Sequence, residues 1–126
     1  LAQLTLDTDG GRPCLSIFRT APLPLPLELT MLERHPLSSQ AFVPLSGRPW
    51  LVVVAPAGEP DPQAVRAFIA RGDQGVNFHP GTWHHFSLAL GAPSDFIVVD
   101  RTDGAADLDE IELDDPLCIS LPELDA

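Results

Sequence analysis

Gln74-Gly75-Val76-Asn77-Phe78-His79-Pro80-Gly81-Thr82-Trp83-His84-His85-Phe86 holds three of the chain's four histidines and one of its two tryptophans. Pro80-Gly81 lies at its centre, and a Pro-Gly pair punctuates extended segments. The stretch reads as strand, tight turn, strand. Successive side chains of a strand point to opposite faces, so Asn77 and His79 share one face. By the same rule His84 and His85 point to opposite faces, and only one of them can look into a sheet or barrel interior. The fourth histidine lies in Met31-Leu32-Glu33-Arg34-His35-Pro36-Leu37-Ser38-Ser39-Gln40, where Glu33 and His35 share a face. These two stretches are the places to look for a site.

Outward from them the chain keeps a short extended rhythm. Residues 1–8 alternate and predict a strand, and Asp9-Gly10-Gly11 predicts a hairpin turn. Residues 14–19 predict a second strand. Pro22, Pro24 and Pro26 alternate with leucine, which marks an edge or connector, because proline cannot donate to a central ladder. Residues 27–35 are extended up to Pro36, and residues 41–45 are short and apolar. Trp50–Ala55 is a near-continuous apolar run, suited to a strand buried on both faces. Asp61-Pro62 supplies an N-cap and a first-turn proline, which predicts one short helix over residues 63–71. Residues 95–101 and 108–113 predict two more strands. About eight short strands separated by turns define an all-β sandwich or small barrel. Residues 1–101 read as the barrel domain, and 102–126 as an acidic C-terminal segment, a partly packed strand followed by a tail.

The chain has 126 residues, 44% of them hydrophobic, and a net charge of −11. This is one domain with enough apolar content for a core. Nine of the 18 acids follow Thr102, with no arginine among them; the other nine share residues 1–101 with all seven arginines. No basic patch speaks for nucleic acid, and no apolar run is long enough to span a bilayer. No charged-then-apolar leader marks secretion, so a cytoplasmic location is expected. Cys14 and Cys118 are far apart in sequence and predict two buried free thiols. Lysine and tyrosine are absent. Schiff-base chemistry is thereby excluded, and proton transfer falls to His, Asp, Glu, Cys or a metal-bound water.

Glu33-x-His35-x4-Gln40-x6-Gly47 follows the spacing of the first cupin motif, with Glu33 and Gln40 replacing its first histidine and its glutamate. Gly81-x2-His84 follows the end of the second motif, with His79 in its proline position and Leu88 in its asparagine position. The wording of ERHPLSSQAFVPL, RAFIARGDQGVNFHPGTWHH and SDFIVVDR resembles the ureidoglycolate lyase family, a cupin family of allantoin degradation. The sequence departs from the family at Phe86, where proline is usual, and at residues 102–107, where a Gly- and Asn-rich ending is usual. The family pattern also extends ahead of the position matching Leu1.

The resemblance implies a cupin-type double-stranded β-helix, or jelly-roll barrel. It implies a homodimeric cytoplasmic enzyme that cleaves (S)-ureidoglycolate to glyoxylate and urea, and a divalent metal, nickel by family usage, unless the site works metal-free. The implied metal positions are Glu33, His35, Gln40 and His84. For acid–base work, His84 and Glu33 are the expected catalytic pair. Gln40 and Asn77 are candidates for the substrate's urea group, since an amide both donates and accepts, and Arg101 is a candidate for its carboxylate. Parity sends Arg34 away from Glu33 and His35. His79 and His85 read as structural or surface residues, and Trp83 as core or dimer surface. Two alternatives stay open: a non-catalytic cupin that binds or senses a small acid, and another small-acid cupin enzyme.

Overall fold

The computed structural model describes residues 2–121. Leu1 of the predicted first strand and residues 122–126 of the acidic tail lie outside the described residues. Ten strands follow in chain order: β1 Arg12–Thr20, β2 Leu27–Arg34, β3 Gln40–Pro44, β4 Trp50–Ala55, β5 Arg66–Ala70, β6 Val76–Phe78, β7 Trp83–His84, β8 Leu88–Ala89, β9 Ser94–Thr102 and β10 Asp109–Ile119. One sheet has the order β1-β9-β3-β6, the other β10-β2-β7-β4-β5, and β8 pairs with β4. Every pairing is antiparallel. This is the all-β architecture that the strand rhythm predicts, in the cupin-like barrel form that the family resemblance implies.

The helix expected over 63–71 does not form. Asp61 does cap, accepting a hydrogen bond from the Gln63 amide at 3.0 Å, and Pro62 opens a single 3-10 turn over Pro62–Ala64. The chain then becomes β5, which pairs with β4 residue for residue from Val54↔Arg66 to Trp50↔Ala70. So short a segment is a marginal helix on its own, whereas the open edge of β4 offers it a full ladder of hydrogen bonds. Residues 2–7 likewise form no strand. They run alongside Ser39, whose amide donates to the Thr5 carbonyl at 2.9 Å and whose hydroxyl accepts from the Thr5 amide at 2.9 Å. Asp9 and Gly10, both at positive φ, close a 3-10 turn rather than a hairpin.

Alternation along β4 divides the apolar residues into two clusters. Trp50 and Val52 face the first sheet and pack with Phe42, Phe78, Phe96 and Val98. Leu51, Val53 and Ala55 face the other way, into Leu27, Leu29, Leu32, Trp83 and Leu88. β4 is therefore buried on both sides, which is why its sequence is apolar without a break. Residues of β10, among them Ile111, Leu117 and Ile119, pack against the second cluster. β10 pairs with β2 along most of its length, with an irregularity between Glu112 and Leu117. Both cysteines are free but neither is buried as expected: Cys14 of β1 is half-buried and Cys118 of β10 exposed.

Candidate active site

The site lies where β2 and β7 meet. Glu33 of β2 stands opposite His84 of β7, which in turn stands opposite Val54 of β4. Residues in register across antiparallel strands project to the same face, so Glu33 and His84 share the inner face with Val54. His35 follows directly after β2. Ligand atoms of Glu33, His35 and His84 all lie within 4.8 Å of one another. Phe78 of β6 closes one side, stacked flat on His84 with ring centroids 4.2 Å apart.

His84 is 1% exposed. Its Nδ1 donates to the His85 carbonyl at 3.1 Å, which fixes the tautomer and leaves the Nε2 lone pair free. Nε2 is buried and has no partner. Burial holds the His84 pKa down at about 4, against a smaller opposing effect of the His85 carbonyl hydrogen bond. His84 is therefore neutral at neutral pH, and its 3.9 Å contact with Glu33 is not an ion pair there. Burial shifts Glu33 the other way, above the ordinary carboxylate value; His35 opposes this and Glu110 adds to it.

His35 is held on both sides. Its Nδ1 lies 2.9 Å from the Asp107 carbonyl oxygen, and its Nε2 lies 3.0 Å from Oε1 of Gln40. The Asp107 carboxylate accepts from the Leu37 amide and the Ser38 hydroxyl, both at 2.6 Å, and so clasps the turn after β2. Gln40 thus joins the cluster through His35.

Arg101 and Asn77 do not join it. The Arg101 side chain is 2% exposed. It donates to the carbonyls of Thr8, Asp9 and Ala105 and approaches the Asp107 carboxylate at 3.5 Å. The Arg101 guanidinium thus ties residues 8–9 to the loop after β9 and has no fork left for a substrate carboxylate. Asn77 stands opposite Ala41, one position from the inward-facing Phe78, so it points away from His84. Its amide donates to the Gln3 carbonyl at 3.0 Å. Arg34 leaves the cluster as parity requires, pairing with Asp109 at 2.8 Å and lying 4.5 Å over the Trp83 ring. His85 is buried rather than on the surface; its ring packs on Phe86 and its amide donates to Val53.

The cluster lies between two cavities. An apolar cleft of about 860 Å³ opens between β5 and β6, with Val54 and Phe78, the two residues flanking His84, among its walls. A polar pocket of about 330 Å³ opens on the His35 side, lined by Asp100, Arg101 and Asp107 among others. Two participants were not singled out from sequence. Asp100 has the same parity as the buried Phe96 and Val98, a signal that was readable. Asp107 lies in a loop that carries no periodic signal.

An antiparallel barrel that gathers two imidazoles and a carboxylate on its inner wall has the arrangement of a cupin-type candidate site. The donor set suits a first-row divalent ion, and the unpartnered Nε2 of His84 is the kind of buried atom such an ion would satisfy. The chain belongs to the ureidoglycolate lyase family, whose profile matches residues 1–120. A protein named ureidoglycolate lyase from Burkholderia mallei (strain NCTC 10229) is 53% identical over 120 residues, covering 95% of this chain and 71% of that protein. One of the same name from Pseudomonas syringae pv. syringae (strain B728a) is 56% identical over 111 residues, 87% of this chain and 65% of that protein. A third, from Azotobacter vinelandii, is 50% identical over 111 residues, 87% of this chain and 67% of that protein.

Proposed function

We propose that this barrel cleaves (S)-ureidoglycolate to glyoxylate and urea, with His84 and Glu33 as its acid–base pair. The observation that carries the reading is the convergence of Glu33 and His84, in register on the inner wall of the barrel and within one 4.8 Å cluster. Burial favours the neutral form of each, an unprotonated imidazole beside a carboxyl that holds its proton more tightly than usual. Ureidoglycolate is a carbinolamide. The His84 lone pair takes the proton of its hydroxyl, the C–O bond becomes a carbonyl as the C–N bond breaks, and Glu33 gives its proton to the departing urea nitrogen. Return of the proton from His84 to Glu33 through solvent resets the pair. In a metal-loaded protein Glu33, His35 and His84 would instead serve as ligands, with nickel the first ion to test, and the ion would lower the pKa of the substrate hydroxyl in place of the acid–base pair.

With Arg101 committed elsewhere, Arg66 suits the substrate carboxylate. It stands in register with Val54, so Glu33, His84, Val54 and Arg66 form one row across the inner face. It also lines the large cleft, and its only hydrogen bonds, among the described residues, are from Nη1 to the carbonyls of Gln63 and Val65. Arg66→Gln is expected to raise KM by about 10- to 100-fold, the worth of a charge-assisted hydrogen bond at 1.5–3 kcal/mol. An unchanged KM would remove Arg66 from the site.

The outer face of the first sheet suits a second copy of the chain. Leu15, Val99 and Ala41 form one row and Ile17, Ile97 and Val43 the next, with Leu15 74%, Ile17 68% and Val43 44% exposed. An aliphatic patch of this kind marks an interaction surface, and closed two-fold pairing covers it most simply. Light scattering should give twice 13.6 kDa, and Ile17→Asp should halve that mass. A monomeric parent protein would overturn the dimer. Free thiols accord with a cytoplasmic enzyme.

The deciding experiment is release of glyoxylate and urea from (S)-ureidoglycolate by the purified protein, before and after chelation. Release that survives chelation fits the acid–base pair alone, and release restored by nickel fits a metal site. A protein that binds ureidoglycolate without releasing either product would be the binding module instead.

A further inference from the structure

We propose that the apolar cleft beside the site makes this barrel a lyase for N-acyl-α-hydroxyglycines with a bulky apolar acyl group, as well as for ureidoglycolate. The proposal rests on the lyase reading for its chemistry and on the cleft for its ligand. The cleft of about 860 Å³ falls in the range that encloses a drug-sized ligand, roughly 300–1,000 Å³. Ureidoglycolate is small and polar throughout, and it fills only a corner of that space. The walls suit a ligand of another shape. β5 is the end strand of its sheet, and Arg66, Phe68 and Ala70 share the inner face with Val54, Val52 and Trp50, their partners in β4. Among the described residues lining the cleft, Arg66 is the only arginine, and no aspartate or glutamate joins it. The wall beside it carries Val52, Val54, Phe68, Val76 and Phe78. Phe68 faces the barrel interior and is nevertheless 57% exposed, because the open cleft lies over it. One cation next to an uncovered apolar wall is complementary to a monoanion with an apolar body.

Nothing in the site insists on urea. A site that hydrogen-bonds a substrate group strongly rejects an analogue lacking it, whereas an apolar wall does not. Gln40 meets His35 through Oε1 and Asp100 through Nε2. Asn77 donates to the Gln3 carbonyl, and its Oδ1 is buried. Neither of the amides expected for the urea group is placed to select its terminal NH2. The reacting part, meanwhile, is common to both substrates. An N-acyl-α-hydroxyglycine is the same carbinolamide, HO–CH(COO⁻)–NH–CO–R, with an apolar R in place of the NH2 of urea. Loss of the hydroxyl proton makes the aldehyde carbonyl of glyoxylate as the C–N bond breaks. The bonding pair leaves on nitrogen, which takes up a proton to give the primary amide R–CO–NH2. No water, oxidant or reductant is consumed. With the carboxylate on Arg66 and the carbinol carbon toward His84, R extends into the apolar part of the cleft against Phe68.

The test gives the purified protein N-benzoyl-α-hydroxyglycine, N-acetyl-α-hydroxyglycine and ureidoglycolate in parallel and follows glyoxylate and the released amides by chromatography. The benzoyl substrate should yield benzamide with kcat/KM about 10- to 200-fold above the acetyl substrate, the discrimination that apolar pocket contacts supply. Phe68→Ser, a change at an exposed position of an end strand, should cut the benzoyl-to-acetyl ratio by about tenfold, the worth of an aromatic contact. Cleavage of ureidoglycolate without cleavage of the benzoyl substrate would overturn the proposal and leave the lyase reading standing. A benzoyl-to-acetyl ratio near one, or one that survives Phe68→Ser, would also overturn it. Absence of turnover on all three substrates overturns the lyase reading, and uncleavable glycines then judge the ligand class. By calorimetry N-benzoylglycine should bind at least about tenfold more tightly than N-carbamoylglycine, with the gap closing in Phe68→Ser. Equal binding of the two would remove the apolar subsite.

Discussion

His84→Ala is expected to lower kcat for ureidoglycolate cleavage by about 10²- to 10⁴-fold, the usual worth of a positioned general acid or base. KM should move little, because a lone pair that takes a proton acts in the transition state rather than in ground-state binding. The adjacent His85 is the internal control. Both rings are buried and both donate from Nδ1 to the carbonyl of the next residue. They differ in what faces Nε2. In His84 that atom is buried and unpartnered, and the ring lies in the cluster with Glu33 and His35, its Nδ1 3.9 Å from the Glu33 carboxylate; His85 instead packs on Phe86. His85→Ala removes a buried ring, so it should cost on the order of 1–3 kcal/mol of stability and leave kcat of the folded protein within about tenfold. Urea denaturation and steady-state kinetics on both variants separate the two effects. If His85→Ala cripples kcat and His84→Ala does not, the acid–base assignment fails.

The His84–His85 comparison also shows what sequence parity can and cannot supply. Alternation says that two adjacent strand residues point to opposite faces, but it does not say which face is inside. For His84 the spacing from Gly81 settled that question. For Asn77 nothing did: it shares a face with His79 as expected, yet it is Phe78, between them, that turns inward onto His84. The strand rhythm was legible because both faces of β4 and the inner faces of β3 and β9 bury apolar residues at a period of two. The helix over 63–71 was misread because capping is local, whereas pairing with β4 depends on a partner some fifteen positions away. The partners of Arg101 are hidden from the sequence for a related reason. Ending a strand leaves its guanidinium free in the sequence, but the fold brings the carbonyls of Thr8 and Asp9 to it across more than ninety residues. Asp107 fell within a stretch that composition alone would call a solvated acidic segment, yet it clasps the turn carrying His35.

Glu33→Gln tests the other half of the pair, and pH supplies the sign. Gln is nearly isosteric and keeps a donor, but it cannot release a proton. The variant should therefore bind substrate and lose kcat by about 10²- to 10⁴-fold, like His84→Ala. The proposed pair needs His84 unprotonated and Glu33 protonated. Activity of the parent protein should rise with pH through the His84 value of about 4, since protonation removes the lone pair. It should fall again as pH passes the Glu33 value, which burial lifts above the ordinary carboxylate range. Bound substrate excludes more water from Glu33, and further desolvation raises a carboxyl pKa, so the falling limb of kcat should lie at higher pH than that of kcat/KM. Glu33→Gln should abolish the falling limb while keeping the rising one, because only His84 then titrates. A Glu33→Gln profile that still falls at high pH would assign that limb to another group and separate Glu33 from the proton reaching the urea nitrogen. Glu33→Asp gives the matching control. It retains a titrating carboxyl one methylene further from the row shared with His84, so its falling limb should persist at a reduced kcat.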